Sequence, residues 1–148
     1  MNEVVVLDSG PVGIITNPRN TLVASACRQW LGELLAKGRR VILPEITDYE
    51  VRRELIRRNS VNALINLDQL GQRVEYMPLT TQIMRLSAEL WAQARQRGLQ
   101  TAADHSLDGD VILAAQAISL GVPAVVASGN WAHLSRYVPA QDWQTIVP

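Results

Sequence analysis

The chain holds one cysteine, Cys27, and one lysine, Lys37, among 148 residues, and its 14 basic side chains are balanced by 14 acidic ones. A lone thiol closes no intramolecular disulfide and builds no cysteine-based zinc site. No apolar run approaches the roughly 18 residues that a membrane span needs. The opening MNEVVVLDSG lacks the basic and long apolar regions of a secretory signal. Zero net charge removes any bulk electrostatic demand for a nucleic-acid or membrane partner. Missing motifs exclude further classes. There is no GxxxxGK[ST], hence no P-loop, and no GxGxxG follows the first apolar run. A phosphoaspartyl phosphatase would need an aspartate where Gly10 stands, and a response regulator a late lysine. Ser106 and Ser128 lack the elbow motif of a serine nucleophile, which leaves His105 and His133 as loop or surface residues. A cytoplasmic, single-domain protein spanning 1–148, with no membrane partner, is expected.

What is present is a regular alternation. Glu3–Leu7 is a β-branched run bounded by Gly10 and Pro11, the pattern of a buried strand. Residues 21–38 have helical periodicity, with Leu22, Ala26, Trp30 and Leu34 on one face and Gly38 as the stop. Residues 39–44 form a second strand. The helix after it is expected to be capped by Thr47 or Asp48. A short helix over 61–71, a strand over 73–79 and an amphipathic helix over 81–98 follow. The helix of SLDGDVILAAQA is expected from about 110 to 120, the fourth strand over 122–128, then a short turn of helix and an edge strand at TIVP. Strands separated by helices imply a parallel sheet covered on both faces.

In such a sheet the working site lies beyond the carboxyl ends of the strands. Asp8 ends the first strand, Glu50 lies near the start of the helix after the second, and Asp108 and Asp110 open the helix leading to the fourth. Asn130 follows that fourth strand. Each has a plainer role when taken singly. Asp8 and Asp108 suit helix N-caps worth about 1 kcal/mol, Asp110 a first-turn acid, Glu50 a solvated ion-pair face with Arg53, Glu54 and Arg57, and Asn130 a turn. Together they are harder to dismiss, because converging carboxylates without matching lysines repel one another unless a cation sits among them. Oxygen ligands of this kind suit Mg²⁺ or Mn²⁺ and metal-assisted phosphodiester cleavage.

At this point the sequence resembles the PIN domains, and within them the VapC-type toxins of bacterial toxin–antitoxin pairs. The resemblance runs over nearly the whole chain and rests on VVLDSGP, PEITDYEVRREL, DGDVILAAQA and VVASGNWAHL, in that order. It implies an α/β class protein, a three-layer α/β/α sandwich with a central parallel sheet, and a Mg²⁺- or Mn²⁺-dependent endoribonuclease. Asp8, Glu50 and Asp110 match the family's acidic core, Asn130 its fourth position, and Ser128 the small polar residue before it, a candidate substrate contact. Asp108 stands two residues before the motif acid and is carried over as a further metal ligand. The resemblance also implies an RNA substrate, homodimerisation, and a cognate antitoxin whose C-terminal segment enters the site. Asparagine at 130 supplies one negative charge fewer, which weakens the case for a second metal ion.

The remaining features divide between packing and recognition. Trp30 and Trp91 stand at core spacings, and Trp131 is expected to pack under its turn, with base stacking the alternative. Arg52, Arg53, Arg57 and Arg58 form a basic segment beside Glu50. Arg53 and Arg57 are candidate contacts for RNA phosphates or antitoxin acids, and Glu54, Arg57 and Arg58 fit a solvated ion-pair face. The competing function is a PIN-like RNA- or protein-binding module with weak or no nuclease activity.

Overall fold

The VVVL run forms the central strand of a five-stranded parallel sheet. The computed structural model describes residues 3–98 and 104–148, residues 104–107 by backbone alone. The strands are β1 (Val4–Leu7), β2 (Val41–Pro44), β3 (Glu75–Met77), β4 (Ala124–Ala127) and β5 (Ala140–Gln141). Their order is β3-β2-β1-β4-β5, all pairs parallel, with Val5 opposite both Val41 and Val125. The helices are α1 (Ser9–Thr16), α2 (Leu22–Ala36), α3 (Glu45–Arg57), α4 (Val61–Arg73), α5 (Thr81–Gln96), α6 (Asp104–Ile118) and the short α7 (Trp131–Leu134). No helix among the described residues is long and apolar enough to cross a membrane.

Period-two alternation on the strands divides the interior into two cores. Val5, Leu7, Val41, Leu43 and Val125 pack against Val12, Leu31, Leu34 and Leu67 of α1, α2 and α4. Val4, Val6, Ile42 and Val126 pack against Leu113, Ala114 and Leu134 of α6 and α7. These are the layers of an α/β/α sandwich. The chain end is tied into the first core, where Trp30 lies 5.6 Å from Trp143, ring centre to ring centre, and donates its indole N–H to the Ile146 carbonyl.

Helix α3 has a special position. Its first turn places Ile46 in the second core, whereas Val51 and Leu55 belong to the first. It therefore crosses the carboxyl edge of the sheet and carries Glu50 over it. It begins at Glu45, directly after β2, so neither Thr47 nor Asp48 caps it. Thr47 is buried and donates its hydroxyl to the Leu7 carbonyl at 2.8 Å, while Asp48 pairs with Arg52 and accepts from the Tyr76 hydroxyl. Pro44 at the cap position makes no side-chain cap bond. Part of that work falls to Gln116 of α6, fully buried, whose amide oxygen accepts the Ile46 N–H at 3.2 Å. Its amide nitrogen donates to the Met77 carbonyl at 2.9 Å. One side chain thus joins α6, α3 and β3.

Four other expectations are corrected. Helix α6 starts at Asp104, not near 110, so Asp108 and Asp110 are neither cap nor first-turn acid. Ile146, Val147 and Pro148 form no strand: β5 precedes them, and a 3-10 turn occupies Trp143–Thr145. Trp131 does not pack beneath its turn but is 48% exposed, and Trp91 is partly exposed with the Arg95 guanidinium 4.6 Å over its ring.

Replacing Gln116 with leucine keeps the volume but leaves the Ile46 N–H and the Met77 carbonyl unpaired. Each such loss costs about 1–3 kcal/mol, so urea unfolding of Gln116→Leu should show a clearly lower midpoint at an unchanged slope. An unchanged midpoint would show that water already serves these groups.

Candidate active site

The sheet order reverses direction between β1 and β4, and ligand sites of parallel sheets open at the carboxyl edge of such a reversal. Asp8 stands there as the residue after β1 and is only 8% exposed. It caps α1 as expected, its Oδ1 accepting the Ser9 N–H at 2.7 Å. It also does something a plain cap does not. Its Oδ2 accepts from the Ser128 hydroxyl at 2.6 Å, and Ser128 Oγ accepts the Asn130 N–H at 2.8 Å. Ser128 is fully buried and its hydroxyl is committed to Asp8, so it positions a carboxylate and does not face a substrate.

Glu50 and Asp110 reach the same place from two helices. Gly109 allows it: a Cβ there would stand 2.8 Å from Glu50 Oε2, so any side chain would push the carboxylate aside. Asn130 Nδ2 lies 3.4 Å from Asp110 Oδ2, a long contact that joins the fourth candidate to the third. The electrostatics report the same convergence. Burial, then the neighbouring Asp8 charge, pushes the Asp110 carboxyl up to about 6, with His133 opposing. Glu50 is also raised, first by burial and then by Asp8, with Asp110 adding to the effect and Arg53 opposing it. Three acids thus share one partly buried field.

Among the described residues, no three carboxylate, imidazole or thiolate groups already stand arranged to hold a metal ion. The donor chemistry is nonetheless that of a hard-cation site, three carboxylates and one amide with no sulfur. A divalent cation among them would offset the repulsion that raises Glu50 and Asp110.

Not every candidate joins this group. Asp108 is exposed and lies two residues from Asp110, about 200° around the helix, on a different face. Arg53 stands one turn beyond Glu50 with its guanidinium 5.1 Å over the Tyr49 ring. Arg57 is bonded to Glu54, and Arg58 Nε lies 3.7 Å from the same carboxylate, so these three form the solvated ion-pair face. The side chains of His105 and Ser106 lie outside the described residues. Two further side chains stand near Asp110: His133, expected only as a loop or surface residue, and Tyr137, which has no sequence signal. His133 of α7 bears on Asp110 as a partly buried neighbour. Tyr137 is pushed up by burial and by Asp110, and its buried hydroxyl has no hydrogen-bond partner. Both follow a turn whose path only the fold defines.

Residues 20–135 match the family model of the PIN domain, and the chain belongs to that family. No curated protein matches the sequence. Among solved structures, a chain of VapBC2 from Rickettsia felis bound to a DNA fragment from their promoter superposes with a TM-score of 0.72 at 17% identity, covering 95% of this chain and 98% of that one. A chain of FitAcB from Neisseria gonorrhoeae gives 0.69 at 18% identity, covering 97% and 100%. A chain of DNA-bound VapBC from Salmonella typhimurium gives 0.67 at 20%, covering 96% and 99%.

The raised Asp110 carboxyl sets a stability profile for metal-free protein. In the unfolded chain Asp110 ionises near 3.8, in the fold near 6, so the native state holds the extra proton between these values. Its contribution favours the fold below about pH 4 and is lost as pH rises through 6. In EDTA, Asp110→Asn should melt about 2–6 °C above the parent at pH 8, with the gap closing toward pH 4. A variant less stable at every pH would make Asp110 a structural residue.

Proposed function

We propose that the chain is a Mg²⁺- or Mn²⁺-dependent endoribonuclease, the toxin member of a toxin–antitoxin pair. The observation that carries this is the meeting of Asp8, Glu50 and Asp110 at the carboxyl edge of β1, two of them with raised pKa. The PIN family and the VapBC and FitAcB neighbours give it context. Asp8, Asp110 and Asn130 would hold the ion, with Glu50 beside it; Asp108 would serve only as an outlying acid. When bound, the metal would activate water and offset charge on the phosphate being cleaved.

The residues of the chain have distinct tasks here. The Ser9 N–H and the Ser128 hydroxyl each donate to one oxygen of Asp8 and so fix its carboxylate at the end of β1. Glu50, whose carboxyl is raised first by burial and then by the Asp8 charge, is suited to take a proton from water or return one to the leaving oxygen. Arg53 and Arg57 would meet RNA phosphates from the adjoining helix face. An antitoxin segment over the same mouth would switch the enzyme off, and homodimerisation is carried over from the family resemblance.

The test is cleavage of total RNA by the protein, Asp8→Asn and Asp110→Asn, each with Mg²⁺, Mn²⁺ or EDTA. Cleavage should require metal and fall at least about 100-fold in either variant, the scale expected for loss of a group acting on the transition state. RNA bound but never cut would leave a binding module. Cleavage that survives EDTA and both substitutions would end the metal reading.

A further inference from the structure

Two clefts meet on the α1–α3 side of the acidic centre. The smaller, 380 Å³, contains Glu50 itself with Ser9, Gly13, Arg53, Glu54 and Arg58, so acids and arginines are balanced there. The larger, 660 Å³, shares Gly13, Leu55 and Arg58 with it and runs on beneath the loop after α1 and the turn between α3 and α4. Because they share these residues, the two adjoin and can be followed as one channel away from Glu50. Its far part is lined by Asn17, Arg19, Arg58, Asn59 and Ser60, and no acid is among its lining residues.

We infer that this channel holds the RNA strand on one side of the bond to be cut, with Arg19 and Arg58 on successive phosphates. The inference rests on the ribonuclease reading and adds where the substrate runs. Four observations support it. The channel begins at a candidate catalytic carboxylate, so an occupant is delivered to the chemistry. Its charge is the reverse of the centre's: acids gather where a metal would sit, and arginines stand where a bare phosphate backbone would pass. Its polar lining of asparagine and serine offers donors and acceptors to sugars and base edges of an unpaired strand. Its floor is open at Gly13, exposed on α1, where a Cβ would meet nothing within 4 Å.

Arg58 is available for such a contact. Its 3.7 Å approach to Glu54 is loose, and the Glu54 carboxylate is already bonded to Arg57 through two guanidinium nitrogens. A phosphate would displace the weaker partner and accept from the guanidinium in its stead. Arg19 is exposed on the opposite wall, where its backbone N–H donates to Asn17 Oδ1 and fixes the turn that presents it. A partner polypeptide would need apolar anchors; Pro18, Leu55, Val61 and Ala63 line the far part, but arginine, asparagine and serine side chains outnumber them. RNA is the favoured occupant.

The experiment compares the full chain with Gly13→Ala, Gly13→Glu and the double variant Arg19→Ala/Arg58→Ala. The probes are a fluorescein-labelled 20-nucleotide single-stranded RNA of mixed sequence and a 4-nucleotide RNA cut from it. Binding is measured in EDTA against salt, cleavage in Mg²⁺ or Mn²⁺, and folding by thermal melting. Gly13→Ala should melt no lower than the parent, because the position has room and alanine favours a helix, and should bind as the parent does. Gly13→Glu, folded, should bind the long RNA at least tenfold more weakly. The double arginine variant should lose affinity and reduce the salt slope by about 1.4, two single-strand phosphates at about 0.7 each. In both, the advantage of the long RNA over the short one in kcat/KM should fall about tenfold.

Long-RNA binding unchanged in both channel variants would overturn the inference and leave the channel to a polypeptide. A parent that cuts no RNA in either metal would overturn the ribonuclease reading alone. The EDTA binding arm would still decide the channel, since RNA bound by the parent and lost in Gly13→Glu places a strand there without cleavage, and no binding by the parent overturns both.

Discussion

The site depends on one buried carboxylate. Asp8 is placed where the central strand ends, where a buried polar group needs hydrogen-bond partners. It is kept there by two donors, the Ser9 N–H and the Ser128 hydroxyl, which meet because β1 and β4 are paired in register from Val4–Ala124 to Leu7–Ala127. Slip that register by one residue and Ser128 no longer faces Asp8, so the carboxylate loses one of its two donors. The hydrogen-bonded ladder of the sheet and the orientation of a candidate metal ligand are therefore one structural feature. Glu50 and Asp110, which join it at this edge, are raised in pKa first by their burial and then by the Asp8 charge.

The helices bring those charges in by a division of labour that the cores explain. Helix α3 has residues in both cores, so it must pass over the sheet edge, and Glu50 lies in the passage. Helix α6 lies against the second core through Leu113, Ala114 and Ala117, which leaves Asp110 near the edge and Gly109 against Glu50. Gln116 ties the two helices through backbone groups. The centre is thus assembled from elements that pack for ordinary hydrophobic reasons, with polar bonds setting the final placement. Beyond the acids, charge changes sign along the channel toward Arg19 and Arg58. A protein of zero net charge can in this way present opposite fields to a cation and to a phosphate chain within one groove.

The places where sequence reasoning went astray have specific causes. The early start of α6 is hidden because DHSL has no cap pattern stronger than the aspartates after it, so the apolar run alone reads as the helix. The cap expected from Thr47 or Asp48 failed because β2 runs into α3 without a loop, leaving no extended residue with a capping side chain. Trp131 was assigned to packing on its apolar character, yet the turn that carries it lies at the rim of the site, where exposure follows from position. Asp108 looked like a partner of Asp110 in a linear list, but two residues apart on a helix is close to opposite faces.

The sequence by itself determined the alternation of strands and helices, the class and layering of the fold, and which three elements carry the candidate acids. It did so because burial imposes a period of two on strands and near 3.6 on helices, and because strand ends dictate where polar residues of a parallel sheet can gather. Only the tertiary structure decided that Ser128 serves Asp8, that Gly109 makes room for Glu50, and that Asp110 faces inward while Asp108 faces out. It alone placed His133 and Tyr137 near Asp110 and joined Gly13, Arg19 and Arg58 into one channel. Those relations link residues up to 120 positions apart. They depend on strand register, helix rotation and the direction of turns, which follow from how the two cores close and not from local sequence pattern.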